Sequence, residues 1–352
     1  MTPGLRVISP GLNTTVQDRG RTGYQRLGIP VSGALDPVAL AAANVVVGNA
    51  AGAAALECLY RGPTFEIEAA RARLAVAGSG VVLEVVEPEG QATRHVPALE
   101  SITLARGSRA RLLITGPGIS AYLAVEGGID APIIMGSRAT YVRAGLGGLG
   151  GRALRAGDVV PLARDATPAR DEVCLPGVEF GLPARVRVVL GPQDDHFTGP
   201  ALREFLHASY TVTSASDRMG LRLSGPALEH SKGFNIVSDG IPPGAIQVPG
   251  DGQPIILLAD RQTTGGYPKI ATVISADLPA LGRVGPGARL MFAAMSIAEA
   301  EMVRRKLDGE IAAWPSRLEP IRRGPSLDPA KLAEVNLVSG VVDPDASDSA
   351  AD

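Results

Sequence analysis

Short apolar bursts separated by glycine, proline and charged residues set the rhythm of this chain. Bursts at 5–8, 72–77, 80–86, 109–115, 120–126, 185–190, 210–214, 255–259, 270–275 and 288–293 read as β-strands. Several alternate apolar and polar positions, Arg109-Ala110-Arg111-Leu112-Leu113-Ile114 most clearly. A period of two belongs to a strand with one buried face. Many short strands between turns predict a mainly β protein with a few helices, folded as barrels or sandwiches rather than a doubly wound sheet.

Helical signals are few and well punctuated. Asp36 is an N-cap with Pro37 at the first helical position, opening a helix from Val38 to Val47 that stops at Gly48-Asn49. Gly199-Pro200 opens a short helix to His207. Ser296 and Glu299 form a capping box before a helix to Ala313, with Val303, Leu307, Ile311 and Trp314 on its apolar face. Asp328-Pro329 opens a last short helix, and 340–352, with four Asp and no aromatic residue, has the composition of a disordered tail.

A length of 352 residues is enough for two domains. The stretch from Asp165 to Gly177 has linker composition, which divides the chain into an N-terminal β-barrel-like domain (1–165), a C-terminal one (185–315) and a partly disordered extension (316–352). The halves echo each other. Asp18 to Tyr24 resembles Asp260 to Tyr267, and Gly28 to Asp36 resembles Gly220 to Glu229, in opposite order. Two related β-rich domains meeting at a shared cleft are expected.

Composition removes several function classes. Apolar residues at 45% and charged residues at 20% exclude wholesale disorder. A net charge of −2, the lack of a basic patch and 4% aromatic residues argue against nucleic-acid binding. No apolar run is long enough to span a membrane and no secretory signal is visible. Cys58 and Cys174 read as free thiols of a reducing compartment, hence a cytoplasmic protein. Gly145-Leu146-Gly147-Gly148-Leu149-Gly150 matches the dinucleotide fingerprint in letters only, because no helix signal opens within it; a flexible glycine-rich loop is the better reading. The chain has no Gly-Lys phosphate loop, no Met-Lys-Met biotin attachment site, no Gly-x-Ser-x-Gly elbow, and no zinc spacing around His95, His196, His207 or His230.

Chemistry concentrates in the ten residues between the bursts at 255–259 and 270–275. Asp260, Arg261, Gln262, Thr263, Thr264, Gly265, Gly266, Tyr267 and Lys269 put an acid, a cation, an amide, hydroxyls and a titratable amine into one loop. The Gly265-Gly266 pair is expected to use dihedrals that other residues avoid and to leave N–H groups uncovered. A solvated hairpin tip is the bland alternative to a site loop. Gln247, just before the Asp251-Gly252 turn, faces the same cleft as Lys269 in the site reading. Arg218 belongs to a charged pair at a strand entrance, and Gln193-Asp194-Asp195-His196 is a polar strand end with either a surface or a site role.

A set of motifs in order along residues 5–295 resembles one family. They are Gln17-Asp18-Arg19-Gly20, Ser32-Gly33-Ala34-Leu35-Asp36, Ala43-Asn44, Gly48-Asn49, Glu126-Gly127-Gly128, Gly191-Pro192-Gln193, Asp217-Arg218-Met219-Gly220, Ile246-Gln247-Val248-Pro249 and Asp260 to Lys269. Together they resemble the biotin-dependent carboxyltransferase-like family. It is also called allophanate hydrolase subunit 2 and includes one component of the bacterial ATP-dependent 5-oxoprolinase. Arg283 stands where the resemblance implies Gln.

The resemblance implies two cyclophilin-like β-barrel domains, and two partner proteins, the B-like and A-like components of 5-oxoprolinase. It also implies ATP used by the complex, with binding on this chain or on a partner left open, no biotin on this chain, and hydrolysis of the lactam 5-oxo-L-proline to L-glutamate. It leaves open carboxyl transfer from carboxybiotin to a urea-like substrate, an allophanate hydrolase component, or a regulatory protein binding a kinase inhibitor. The absence of a fused biotin carboxylase favours the lactam. Lys269, Asp260 and Arg261 are then the candidate catalytic residues, with Arg261, Lys269 and the Gly265-Gly266 N–H groups meeting negative charge and Asp260 or Lys269 serving as base. Gln247, Arg218, Gln262, Thr263, Thr264, Gly265, Gly266, Tyr267, Arg19 and Asp36 are the candidate substrate-binding residues. No metal ligands are expected.

Overall fold

The alternating apolar bursts become two sheet systems, seen in a computed structural model that describes residues 3–88 and 93–321. Residues up to Pro320 pack as one compact unit. In its first half, a six-stranded antiparallel sheet runs in the order Val159–Pro161, Gly4–Ser9, Thr64–Ile67, Arg109–Ile114, Val81–Val86, Arg94–Pro97. A five-stranded one runs Asn13–Gln17, Ala55–Leu59, Ser120–Val125, Arg71–Gly78, Ser101–Ala105. Leu5, Phe65, Leu83 and Leu112 from the first meet Leu56, Leu74 and Leu123 from the second in one core. The alternation at 109–112 does what its period predicts: the arginines are exposed while Ala110 and Leu112 are buried.

The second half is an eight-stranded sheet ordered Arg289–Leu290, Tyr210–Val212, Gly220–Ser224, Ile255–Leu257, Ala245–Gln247, Lys269–Val273, Val186–Leu190, Phe292–Ala294. Its two edge strands are consecutive in the chain, separated only by Met291. The sheet therefore curls into a nearly closed barrel, the architecture that removes open edges. The burst at 288–293 is thus two strands rather than one. Phe205 of helix Gly199–His207 stacks on Phe292 at 4.5 Å within the barrel core.

Four α-helices accompany the strands among the described residues: α1 (Pro37–Val46), α2 (Gly199–His207), α3 (Leu278–Leu281) and α4 (Ile297–Ala313). Asp36 caps α1 by accepting from Val38 and Ala39 N–H at 3.0 Å each. The alanines of α1 let it lie close on Ala75, Ala77, Tyr122 and Ala124 of the five-stranded sheet, with Trp314 packed in the same cluster. The capping box of α4 forms as read from the sequence.

The stretch with linker composition is not loose. Val173–Cys174 pairs with Glu319–Pro320, and the buried Arg73 donates to Arg170 O at 2.8 Å and to Glu172 at 3.3 Å. The expected helix at Asp328-Pro329 and the tail at 340–352 lie outside the described residues.

Candidate functional site

The loop 260–269 leaves the strand Ile255–Leu257 and returns on Lys269–Val273. The strand Ala245–Gln247 lies between these two, with Gln247 opposite Lys269 in the ladder. Residues opposite each other in an antiparallel pair point to the same face, which is why Gln247 and Lys269 share a side of the sheet. An irregularity in register at Ile246/Gln247 sits at this spot, and such irregularities re-aim side chains.

The loop does not project freely. An exposed arm over 231–240 folds along it: Asp239–Gly240 pairs with Thr264–Gly265, Ile236 N–H donates to Gly266 O at 2.8 Å, and Ile241 N–H donates to Thr263 O at 3.1 Å. Lys269 is fully buried, and its Nζ donates to Asp239 Oδ2 at 2.8 Å. That hydrogen bond, with help from Gly240 N–H, holds the Asp239 carboxyl below its ordinary range. Gln193 exchanges backbone and side-chain bonds with Lys269, accepting its N–H on Oε1 at 3.1 Å and donating its own N–H to Lys269 O at 3.1 Å. The Gln193 amide stands 3.5 Å from Asp239. The buried Gln247 accepts from Gln262 Nε2 at 3.4 Å and reaches Tyr267 O at 3.5 Å. Gln193 thus holds the buried lysine from one side and Gln247, itself bonded to Gln262, lies opposite it on the other, amides that both donate and accept.

Gln247, Gln262 and Tyr267 line a cleft of about 660 Å³, together with Met219, Arg143 and Arg222. Arg143 comes from the turn Val142–Ala144, which runs into the glycine-rich loop, and pairs with Asp217 at 3.1 Å. That loop opens no helix. Gly145, Gly147, Gly148 and Gly150 all take positive φ, so the sequence is a chain of left-handed turns.

The expectation that Gly265 and Gly266 use glycine-only dihedrals is corrected: neither has a positive φ. Gly265 is glycine for space, since a Cβ there would stand 2.7 Å from Gln247 Nε2 and 2.7 Å from Ile241 Cδ1.

Asp260, Arg218 and Asp36 lie elsewhere, in a buried ionic frame between the two halves. Arg218 donates to Asp260 at 2.8 and 3.1 Å, to Gly33 O at 2.7 Å, and to Glu57. Burial opposes its charge, but Glu57 and Asp260 outweigh burial and raise its pKa. Ser32, held at φ 55, donates its hydroxyl to Asp260 Oδ1 at 2.6 Å and its N–H to Ala259 O at 3.1 Å. Both oxygens of Asp260 are therefore occupied. Tyr122 donates to Glu57 and accepts from Asp36 N–H at 2.8 Å, and Asp36 accepts from Arg283 Nε at 2.5 Å. Burial, then Glu57 and Asp36, push the Tyr122 hydroxyl well above its usual pKa.

The remaining expected residues are dispersed. Arg19 is exposed, packs over Gly52 and lines a groove beside α1 and α4. Arg261 is buried on another side of the loop and lines a different cavity. Thr263 and Thr264 hold the arm through their backbones. Sequence reasoning missed Asp239, Glu57 and Tyr122, and left Gln193 between a surface and a site role. Asp239 had a signal in the polar, turn-rich composition of 231–240; Glu57 and Tyr122 sit within apolar strands and gave none. Among the described residues no group of three His, Cys, Asp or Glu could hold a metal ion, and no helix is long and apolar enough to cross a membrane.

Comparison with known proteins defines the class. Residues 27–294 match the family model "Carboxyltransferase domain, subdomain A and B", and the chain belongs to that family. It is 38% identical over 302 residues to the C component of 5-oxoprolinase from Escherichia coli, covering 86% of this chain and 94% of that protein. It is 36% identical over 304 residues to the C component of 5-oxoprolinase from Haemophilus influenzae, with the same coverage of 86% and 94%. Among solved structures, Kluyveromyces lactis urea carboxylase superposes with a TM-score of 0.79 at 29% identity, covering 92% of this chain and 31% of that one.

Proposed function

We propose that the chain is the C component of an ATP-dependent 5-oxoprolinase and hydrolyses 5-oxo-L-proline to L-glutamate in complex with B-like and A-like partner proteins. The observation that carries this reading is its similarity, over 94% of their length, to two bacterial relatives that bear that name. The loop chemistry supports it. A lactam presents one N–H donor and one C=O acceptor, and the Gln247–Gln262 pair on the cleft offers both kinds of partner. Opening the ring adds water across the amide C–N bond and places negative charge on the carbonyl oxygen. In this reading Lys269, opposite Gln247 in the ladder but buried behind the residues that line the cleft, supplies the positive field for that charge, with Asp239 and Gln193 fixing its position. ATP used by the complex phosphorylates the carbonyl oxygen and leaves as ADP. One water then adds to the activated carbon, the ring C–N bond breaks with the nitrogen taking up a proton as the amine, and a second water releases phosphate from the resulting acyl phosphate. Asp260, Arg218 and Asp36 belong in this reading to the frame that holds the two halves in register, not to the reacting groups.

Co-expression with the B-like and A-like partners tests the proposal. ATP turnover and glutamate release that require 5-oxoproline and vanish in Lys269→Ala are expected. A well-formed complex whose ATP turnover ignores 5-oxoproline would sink it. A carboxyl-transfer reading is favoured by the TM-score of 0.79 to a urea carboxylase; the same complex assayed with urea and carboxybiotin decides between the two.

A further inference from the structure

Arg261 is the one cation of the loop that the lactam reading leaves unused. It is 2% exposed, yet has no carboxylate partner among the described residues. Its Nε donates to Ile241 O at 3.0 Å and its Nη1 to Leu258 O at 3.2 Å, while its Nη2 has no hydrogen-bond partner among the described residues. The acid next to it in sequence, Asp260, is taken by Arg218 and Ser32. A buried guanidinium left without a counter-charge is costly, and two carbonyls offset only part of that cost. Burial lowers its pKa to about 10, which leaves it cationic at neutral pH.

Arg261 lines a cavity of about 370 Å³ formed where the two halves meet. Val31 and Leu35 from the first half and Leu258, Leu278 and Pro279 from the second make its walls mainly apolar, with Gln25, Ser32 and Ser275 as polar interruptions. Arg304 of α4 also lines it, and its own partner is Asp308. An apolar chamber with one unneutralised, planar, five-donor cation is complementary to an anion of matching shape attached to an apolar body.

We propose that this cavity binds small monocarboxylic acids, with Arg261 holding the carboxylate and the apolar walls holding a compact ring or aliphatic body. The site is separate from the cleft of Gln247 and Tyr267 and does not depend on the reaction assigned there. The carboxylate completes the donor set of Arg261 and supplies the missing charge, so ligand and protein neutralise each other out of water.

Isothermal titration calorimetry on the full chain, without ATP or partners, tests this with three probes. Cyclopentanecarboxylate carries the carboxylate and an apolar ring without a lactam, 2-pyrrolidone carries the lactam without a carboxylate, and 5-oxoproline carries both. Both acids are expected to bind, and any heat from 2-pyrrolidone, which reports on the lactam cleft, is expected to be the same in the wild-type chain and in Arg261→Gln. Arg261→Gln weakens both acids by at least about tenfold. Ser275→Trp, which adds bulk to the cavity lining and leaves Arg261 in place, does the same and keeps the test valid if Arg261→Gln folds poorly. Failure of cyclopentanecarboxylate to bind at millimolar concentration, or unchanged affinity for it in the two variants, would overturn the assignment. Cyclopentanecarboxylate has no lactam and reports on this cavity alone, whereas ATP turnover with 5-oxoproline reports on the assembled complex, so the two proposals fail separately.

Discussion

Lys269 and Asp239 form an ion pair with unequal halves: the lysine side chain is 1% exposed and the aspartate side chain 53%, with Nζ and Oδ2 2.8 Å apart. The lysine is fixed by the barrel, in a ladder between Gln193 and Gln247. The aspartate rides on the arm 231–240, which is tied to the loop by one short strand pair and the Ile236–Gly266 backbone hydrogen bond, with Ile241 just beyond it bonding Thr263. Neutralising a buried ammonium is therefore the task of a side chain on the more exposed element. The pair couples the charge state of the site to the position of the arm.

The coupling has a defined pH window. Hydrogen bonding to Lys269 depresses the Asp239 carboxyl in the folded state, so its contribution is present above the ordinary carboxylate value of about 3.9 and is lost as pH falls through the lower folded value. Hydrogen exchange of residues 231–240 is expected to stay protected from neutral pH down to that range. Asp239→Asn removes the latch at every pH, and the arm exchanges faster throughout. Loosening of the wild-type arm between about pH 5 and 7 would show that Asp239 is not what holds it.

The frame around Arg218 predicts a stability effect. Arg218→Met leaves Glu57 and Asp260 buried without their shared cation, and should cost roughly 3–5 kcal/mol in urea unfolding. A cost below about 1 kcal/mol would mean that the frame is dispensable.

The legible parts of this molecule were those governed by local rules. The helix starts at Asp36 and Ser296 and the strand at Arg109–Ile114 follow from capping and alternation, which depend on neighbours in sequence. The strand Asn13–Gln17 escaped notice because Asn13, Thr14, Thr15 and Gln17 are polar; its place comes from pairing with Ala55–Leu59. The loop 260–269 stood out by composition, but the sequence could not say that its residues part company: Asp260 turns into the frame, Arg261 into a cavity, Gln262 and Tyr267 onto the cleft. That division depends on the arm at 231–240, which the motif reading passed over.

The cysteines separate by reactivity. Burial pushes the Cys58 thiol up to about 12, and burial also raises Cys174, which is only half-buried. A thiol must ionise and be reached to react. Ellman's reagent should therefore titrate Cys174 slowly in the native chain and Cys58 only after unfolding. Native labelling of Cys58 at the rate of Cys174 would contradict the packing of its strand.

Gly265 offers the sharpest separation of fold from function. A methyl group there would stand 2.7 Å from Gln247 Nε2, and the amide can move only by giving up Gln262 or Tyr267. At Gly266 a methyl group meets nothing nearer than Ile236 O at 3.4 Å. Neither position has positive φ, so backbone strain does not blur the comparison. Gly265→Ala should therefore reduce 5-oxoproline-dependent turnover of the assembled complex by about tenfold to a hundredfold, the effect of misplacing a positioning group by a fraction of its own size. Gly266→Ala should leave turnover within about twofold, and thermal unfolding should barely distinguish the two variants. Equal losses from both would mean that turnover responds to the loop as a whole, and the orientation of Gln247 would no longer explain why the chain has glycine at 265.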